Sequence, residues 1–149
     1  MARKLANKIA MVTGGSRGIG AAIVTAFAAE GADVIFCHNG DDDDAAAVVA
    51  AARANGARVA EMHCDVADAE AVCRFHAEAE HEFGRIDVLV NNAGISGETP
   101  FERISMPMFD DMLTINLRAL FQFAQLVAPG MRQRGWGRII NIASQPRRH

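Results

Sequence analysis

The chain contains no tyrosine, so no phenolic hydroxyl is available along it to give or take a proton. Tryptophan occurs once and cysteine three times. An odd number of cysteines with no C-x-x-C spacing argues against a disulfide framework or a thiolate metal site. Cys37, Cys64 and Cys73 are therefore expected to be buried, reduced thiols. The histidines form no H-E-x-x-H pair, and His76 and His81 do not share a helix face well, so no metal site is expected. Basic residues are not in surplus: 15 Lys and Arg stand against 18 Asp and Glu, a net charge of −3. That leaves no electrostatic footprint for nucleic acid or an anionic membrane. No apolar run approaches the ~20 residues that cross a bilayer, and the start lacks the apolar core of a secretory leader. The expected location is the cytoplasm.

What is present is glycine, at 13 positions, and a hydrophobic half that suits an ordinary globular domain. The length of 149 residues predicts one domain, residues 1–149.

One stretch organises the rest: Thr13-Gly14-Gly15-Ser16-Arg17-Gly18-Ile19-Gly20. It follows the apolar run Ile9-Ala10-Met11-Val12 and leads into Ile19, Ala22, Ile23, Ala26 and Phe27 at helical spacing. A strand that breaks into glycines and re-forms as a helix presents free backbone N–H groups and the positive end of a helix dipole, a setting for phosphate. The pattern is T-G-x-x-x-G-x-G rather than G-x-G-x-x-G. Gly14 can take the tight turn, Gly18 can admit a pyrophosphate, and Gly20 can let helix and strand pack closely. A glycine-rich turn without a ligand is the plain alternative.

Along the chain, strands are predicted at roughly 8–13, 32–37, 58–64, 86–90 and 138–143, alternating with helices. Gly31, Asn55-Gly56 and Gly84 stand as helix stops, and Asp41 to Asp44 as a solvated helix start. A long helix is predicted from near Ser105, with Phe109, Met112, Leu113, Leu117, Leu120, Phe121, Ala124 and Val127 as its apolar side and a weakness or bend at Pro129-Gly130. This alternation predicts an α/β fold with an open parallel sheet, helices on both faces and right-handed crossovers. Ligands of such sheets lie beyond the carboxyl ends of the strands. The glycine loop, Asn39, Asp65, Asn91 to Gly94 and Ser144 all fall there.

With those residues in place the chain resembles the short-chain dehydrogenase/reductase family, most closely its 3-oxoacyl-carrier-protein reductase branch. The matching pieces are Thr13-Gly14-x-x-x-Gly18-x-Gly20, Asp65-Val66, Asn91-Asn92-Ala93-Gly94, Asn116 within Thr114-Ile115-Asn116-Leu117, and Gly137-Arg138-Ile139-Ile140-Asn141-Ile142-x-Ser144. They occur in family order over essentially the whole chain. The resemblance implies a Rossmann-like, doubly wound parallel sheet with strand order 3-2-1-4-5, incomplete at its carboxyl end. It implies that Thr13, Gly14, Ser16, Arg17, Gly18, Ile19 and Gly20 hold the coenzyme pyrophosphate. Asp65 and Val66 would meet the adenine, and Asn91, Ala93 and Gly94 would line the adenosine-ribose side. Asn116 would hold a water in a proton relay and Ser144 would bond the substrate carbonyl or hydroxyl. Read without the family, Asn116 is a satisfied amide in a helix and Ser144 a strand-end hydroxyl.

The chain also departs from the family. A Tyr-x-x-x-Lys motif is expected about a dozen residues beyond the serine, but only five residues follow Ser144 and none is tyrosine or lysine. The expectation is a cofactor-binding half whose turnover alone is negligible, acting on a small carbonyl or alcohol only in a full-length setting. A non-catalytic nucleotide-binding remnant or interaction module is the alternative. Strand five is expected to be an open edge that invites oligomerisation or aggregation.

The coenzyme is NADP or NAD. The end of strand two carries His38 and Asn39, neither acid nor arginine, while Arg17 stands where it could reach a 2′-phosphate. Asp41 to Asp44 nearby oppose that, and the balance leans to NADP.

Overall fold

The computed structural model describes residues 2–143. Five parallel strands, β1 (Ile9–Thr13), β2 (Asp33–His38), β3 (Val59–His63), β4 (Val88–Asn91) and β5 (Arg138–Asn141), form one sheet in the order β3-β2-β1-β4-β5. Helices α1 (Gly18–Ala29), α2 (Asp42–Arg53), α3 (Ala69–Phe83), α4 (Met106–Leu113) and α5 (Ala119–Arg134) join them. The sheet order and the alternation agree with the sequence reading.

Successive side chains of the central strands feed two separate cores. Ile9, Met11, Ile35, Cys37 and Leu89 pack with Val72, Phe75, Phe123 and Val127 of α3 and α5. Ala10, Val12, Val34, Phe36, Val88 and Val90 pack with Val24, Ala28, Ala45 and Ala52 of α1 and α2. Because both faces are covered, these strands read as continuous apolar runs rather than alternating ones. Phe75 and Phe123 meet edge to face, ring centres 6.1 Å apart. Burying either side chain contributes ~1.5–3 kcal/mol.

The helix boundaries have local causes. Asp68 caps α3 by accepting from the N–H groups of Glu70 and Ala71, and Gly84 ends it with φ of 84°. Asp41 caps α2 by accepting from Asp43 N at 2.7 Å, with Asp42, Asp43 and Asp44 in the first turn where the dipole favours them. At the amino ends of the strands, buried Asp87 accepts from Ile9 N at 2.9 Å and from Arg85 Nε at 3.0 Å. There too Trp136 is contacted by Lys8 Nζ, 3.8 Å from the ring centre, and by the Arg138 guanidinium at 4.8 Å.

Three expectations are corrected. Cys73 is exposed, while Cys37 and Cys64 are buried; all three are free. The helix expected from Ser105 is α4, a π-helical stretch at Thr114–Arg118, and α5, and it continues through Pro129. Pro129 is exposed, so water can serve the carbonyl that its missing N–H leaves without a partner. The apolar side assigned to that helix is only partly the buried one. Val127 is buried and Leu120 and Ala124 half-buried, but Phe109, Leu113, Leu117 and Phe121 are exposed. The core-facing residues of α5 are Ala119, Phe123, Val127 and Met131, four apart. Strand β5 is exposed throughout and forms one edge of the sheet, as expected.

Candidate functional site

The order β3-β2-β1-β4-β5 reverses direction between β1 and β4, and ligands of such sheets lie outside that point. The turn after β1 is shaped by its neighbours. Gly14 has φ of 67°, Gly15 N donates to Cys37 O at 2.9 Å, and a Cβ on Gly15 would lie 2.5 Å from Phe36. A Cβ on Gly20 would lie 1.9 Å from Gly14 O, so α1 sits against the turn as only glycine permits. Gly18, with φ of 53°, has open space around it. No side chain caps α1 and no acid stands in its first turn. Its leading N–H groups and positive dipole end are therefore free for an anion.

A cleft of about 350 Å³ runs from this turn over the ends of β2 and β3. Gly14, Ser16 and Arg17 form one wall, Cys37 to Gly40 and Cys64 to Val66 its floor and far side, and Asn92 to Ile95 with Ile115 the other wall. A second hollow of about 470 Å³ shares Asn92 to Ile95 and continues past Ile19, Asn116, Leu120 and Asn141 to Ala143. Two compartments meeting at Asn92 to Ile95, with glycine-turn residues in both, suit a ligand of two parts joined by a diphosphate. The groove beside Leu113, Leu117 and Phe121 lies on the exposed flank of α4 and α5, away from the strand ends.

Most of the expected residues line these spaces: Gly14, Ser16, Arg17, Asn39, Asp65, Val66, Ala93 and Gly94 the first, Ile19 and Asn116 the second. Thr13 is buried behind them, its Oγ1 accepting from Asn92 N at 3.0 Å and Ala93 N at 2.9 Å. Asn91 faces β5, donating to Asn141 Oδ1 at 2.9 Å. Asn116 clamps the backbone of Ile95, accepting from its N–H and donating to its carbonyl, both at 2.8 Å. Ser144 lies outside the described residues.

Sequence reasoning placed Asn92 at the strand end but gave it no role; its Nδ2 donates to Thr13 O at 3.1 Å and Gly14 O at 3.0 Å and so braces the turn from the side of β4. Strand alternation holds the signal, since neighbouring asparagines at a strand end point to opposite sides. Also missed was the pairing of buried His38 through Nε2 with Glu61, 2.6 Å away on β3. Arg17 reaches across the cleft mouth towards Gly40 and lies 3.8 Å from Asp44. That exposed pair is worth ~0–1 kcal/mol and leaves the guanidinium free to serve another anion. On the cleft floor the neighbouring Cys64 side chain and burial hold the Cys37 thiol well above the usual thiol range, and the Cys37 side chain lowers Cys64 against its own burial.

Comparison with known proteins gives a single direction. A family profile described as short chain dehydrogenase matches residues 8–147. D-threitol dehydrogenase of Mycolicibacterium smegmatis is 42% identical over 144 residues, 95% of this chain and 54% of that protein. The 3-oxoacyl-[acyl-carrier-protein] reductase of Staphylococcus epidermidis is 39% identical over 138 residues, 93% of this chain and 57% of that one. A metagenomic short-chain oxidoreductase solved in complex with NADP superposes with a TM-score of 0.89 at 34% identity, covering 95% of this chain and 64% of that one. The chain spans about half the length of the curated relatives it matches. Among the described residues no helix is long and apolar enough to cross a membrane, and no cluster of side chains could hold a metal ion.

Proposed function

The chain belongs to the short-chain dehydrogenase/reductase family, and from that premise we propose that its cleft holds a nicotinamide dinucleotide, NADP in preference to NAD. The full-length protein would use it for hydride transfer between a small carbonyl and its alcohol. The observation that carries this reading is the glycine turn at the uncapped start of α1, with a compartment on either side and Arg17 over one of them. Bound there, the coenzyme supplies the hydride. The turn and the α1 N–H groups hold the diphosphate, with Gly18 giving it room. Asp65 and Val66 border the adenine, and Ala93 and Gly94 the adenosine ribose. Thr13, Asn91, Asn92 and Gly20 act from behind as braces. Arg17 accounts for the preference, because its exposed guanidinium can pair with a 2′-phosphate, while Asp41 is engaged as a helix cap and Asp44 faces Arg17.

At the substrate end, Ser144 would bond the carbonyl oxygen. Asn116 holds Ile95 in place, and the second lone pair of its Oδ1 is left for a relay water. Carbonyl reduction also needs an acid to neutralise the developing alkoxide, a contribution of ~10²–10⁴-fold. With no tyrosine in the 149 residues, we infer that they bind coenzyme without appreciable turnover on their own. A purely nucleotide-binding role is the second reading, favoured by the same absence.

Calorimetric titration tests this. Saturable binding is expected for both coenzymes, tighter for NADPH than for NADH. Arg17→Ala should weaken NADPH about tenfold, the ~1.4 kcal/mol of a charge-assisted bond, and leave NADH nearly unchanged. Equal losses for both would remove Arg17 as the discriminator. No saturable signal from a cooperatively melting sample would end the coenzyme reading.

A further inference from the structure

The aspartates that open α2 beside the cleft are alike in sequence, yet the structure gives three of them different surroundings. Asp41 caps the helix by accepting from Asp43 N at 2.7 Å. Asp42 lies near buried His38, its Oδ1 4.0 Å from the ring Nε2. Asp44 is half-buried and faces the cleft mouth, where its Oδ2 lies 3.8 Å from Arg17 Nε. The same guanidinium is flanked by Gly40, with Nη2 3.3 Å and Cζ 3.7 Å from where a Cβ on that glycine would lie. Among the described residues lining the cleft, Arg17 is the only lysine or arginine. A phosphate arriving at this end of the cleft therefore meets a cation that already has a carboxylate beside it.

We propose that Asp44 limits how strongly the protein prefers a 2′-phosphorylated dinucleotide, by competing with the 2′-phosphate for Arg17. This rests on the coenzyme reading above, and Asp44 works against the preference that Arg17 supplies. A phosphate monoester carries close to two negative charges near neutral pH. To pair with Arg17 it must draw the guanidinium from Asp44 and then remain near that carboxylate. Both the lost pair and the repulsion oppose binding. A 2′-hydroxyl brings no charge and makes neither demand, so the unphosphorylated dinucleotide is insensitive to Asp44. Gly40 leaves the guanidinium room to move between its two partners, because no side chain stands there.

The competition is modest because both side chains are exposed, 71% for Arg17 and 47% for Asp44. An exposed pair of this kind is worth at most about fivefold in affinity. It also fades with salt, since the Debye length contracts from ~30 Å at about 0.01 M to ~3 Å at about 1 M.

The test is calorimetric titration of the whole chain with NADPH and NADH, comparing the parent with Asp44→Asn. Asparagine keeps the shape and removes the charge. Asp44→Asn should tighten NADPH about fivefold in low salt and leave NADH nearly unchanged, and the gain should vanish near 1 M salt. With Arg17→Ala already in place, the gain from Asp44→Asn should shrink. Asp43→Asn removes an equal charge from a carboxylate in no ion pair among the described residues, and should gain less than Asp44→Asn. Asp44→Ser serves as a second uncharged variant and should repeat the shift. An unchanged ratio of the two affinities would overturn the proposal, as would an equal gain for both coenzymes or an undiminished gain without Arg17. A gain from Asp43→Asn as large as that from Asp44→Asn would overturn it too, by pointing to net charge alone. A parent that binds both coenzymes while Asp44→Asn changes nothing removes this proposal and leaves the coenzyme reading standing. A parent that binds neither removes both.

Discussion

Replacing Gly20 by alanine is expected to destabilise the protein, although the same exchange in an ordinary helix stabilises by ~0.5–1 kcal/mol. The new Cβ would lie 1.9 Å from Gly14 O and 2.6 Å from Asn92 Nδ2. The turn would have to retreat by about an ångström to relieve that contact. Its retreat strains the two bonds that Asn92 Nδ2 gives to Thr13 O and Gly14 O. Overpacking costs ~1–3 kcal/mol and each weakened bond up to ~1 kcal/mol. Against the helical gain, the net is a loss of about 2 kcal/mol. For a chain of this size that lowers Tm by about 6 °C. Gly18→Ala is the comparison. Gly18 also has a positive φ, of 53°, but nothing lies within 4 Å of where its Cβ would be. It should lose only the ~1–2 kcal/mol of a left-handed non-glycine residue. Thermal unfolding followed by circular dichroism decides the matter. A Gly20→Ala protein that melts at or above the parent would refute the claim that α1 rests on the turn.

Two further outcomes follow from one buried and one half-buried polar group away from the cleft. Asp87→Ala leaves Ile9 N–H and the Arg85 guanidinium without their acceptor, and should lower stability by ~1–3 kcal/mol. Urea unfolding should show this as a lower midpoint at unchanged slope; an unmoved midpoint would contradict it. His76 is held below the usual imidazole range by burial, opposed by Glu80. The unfolded chain therefore takes up this proton first, near pH ~6.5, and stability falls as pH drops through that value. His76→Gln should narrow the stability difference between about pH 7.5 and pH 5.5, and an identical difference in both proteins would count against burial as the cause.

How far the fold could be read from the sequence depended on whether the signal was local. The βα alternation and the helix stops were legible because apolar runs, caps and glycines act over a few residues. The side of α5 that packs was only half legible, because 3.6-residue spacing identifies apolar residues without saying what covers them. Phe109, Leu113, Leu117 and Phe121 share that spacing and remain exposed, while Ala119, Phe123, Val127 and Met131 face the sheet. The π-helical stretch at Thr114–Arg118 leaves no mark in composition. Within the site, Gly14, Gly18 and Gly20 were readable from backbone need. Asn92 and the His38–Glu61 pair were not, because their partners lie on strands distant in sequence and only the sheet register brings them together.

The tryptophan held by Lys8 and Arg138 makes the protein a sensor of strand β5. Trp136 is the sole indole and sits at the amino ends of the strands, opposite the cleft. Its emission should respond when β5 peels away from β4 and stay silent while a ligand fills the far side. Edge fraying and ligand occupancy can thus be followed separately in one unlabelled sample.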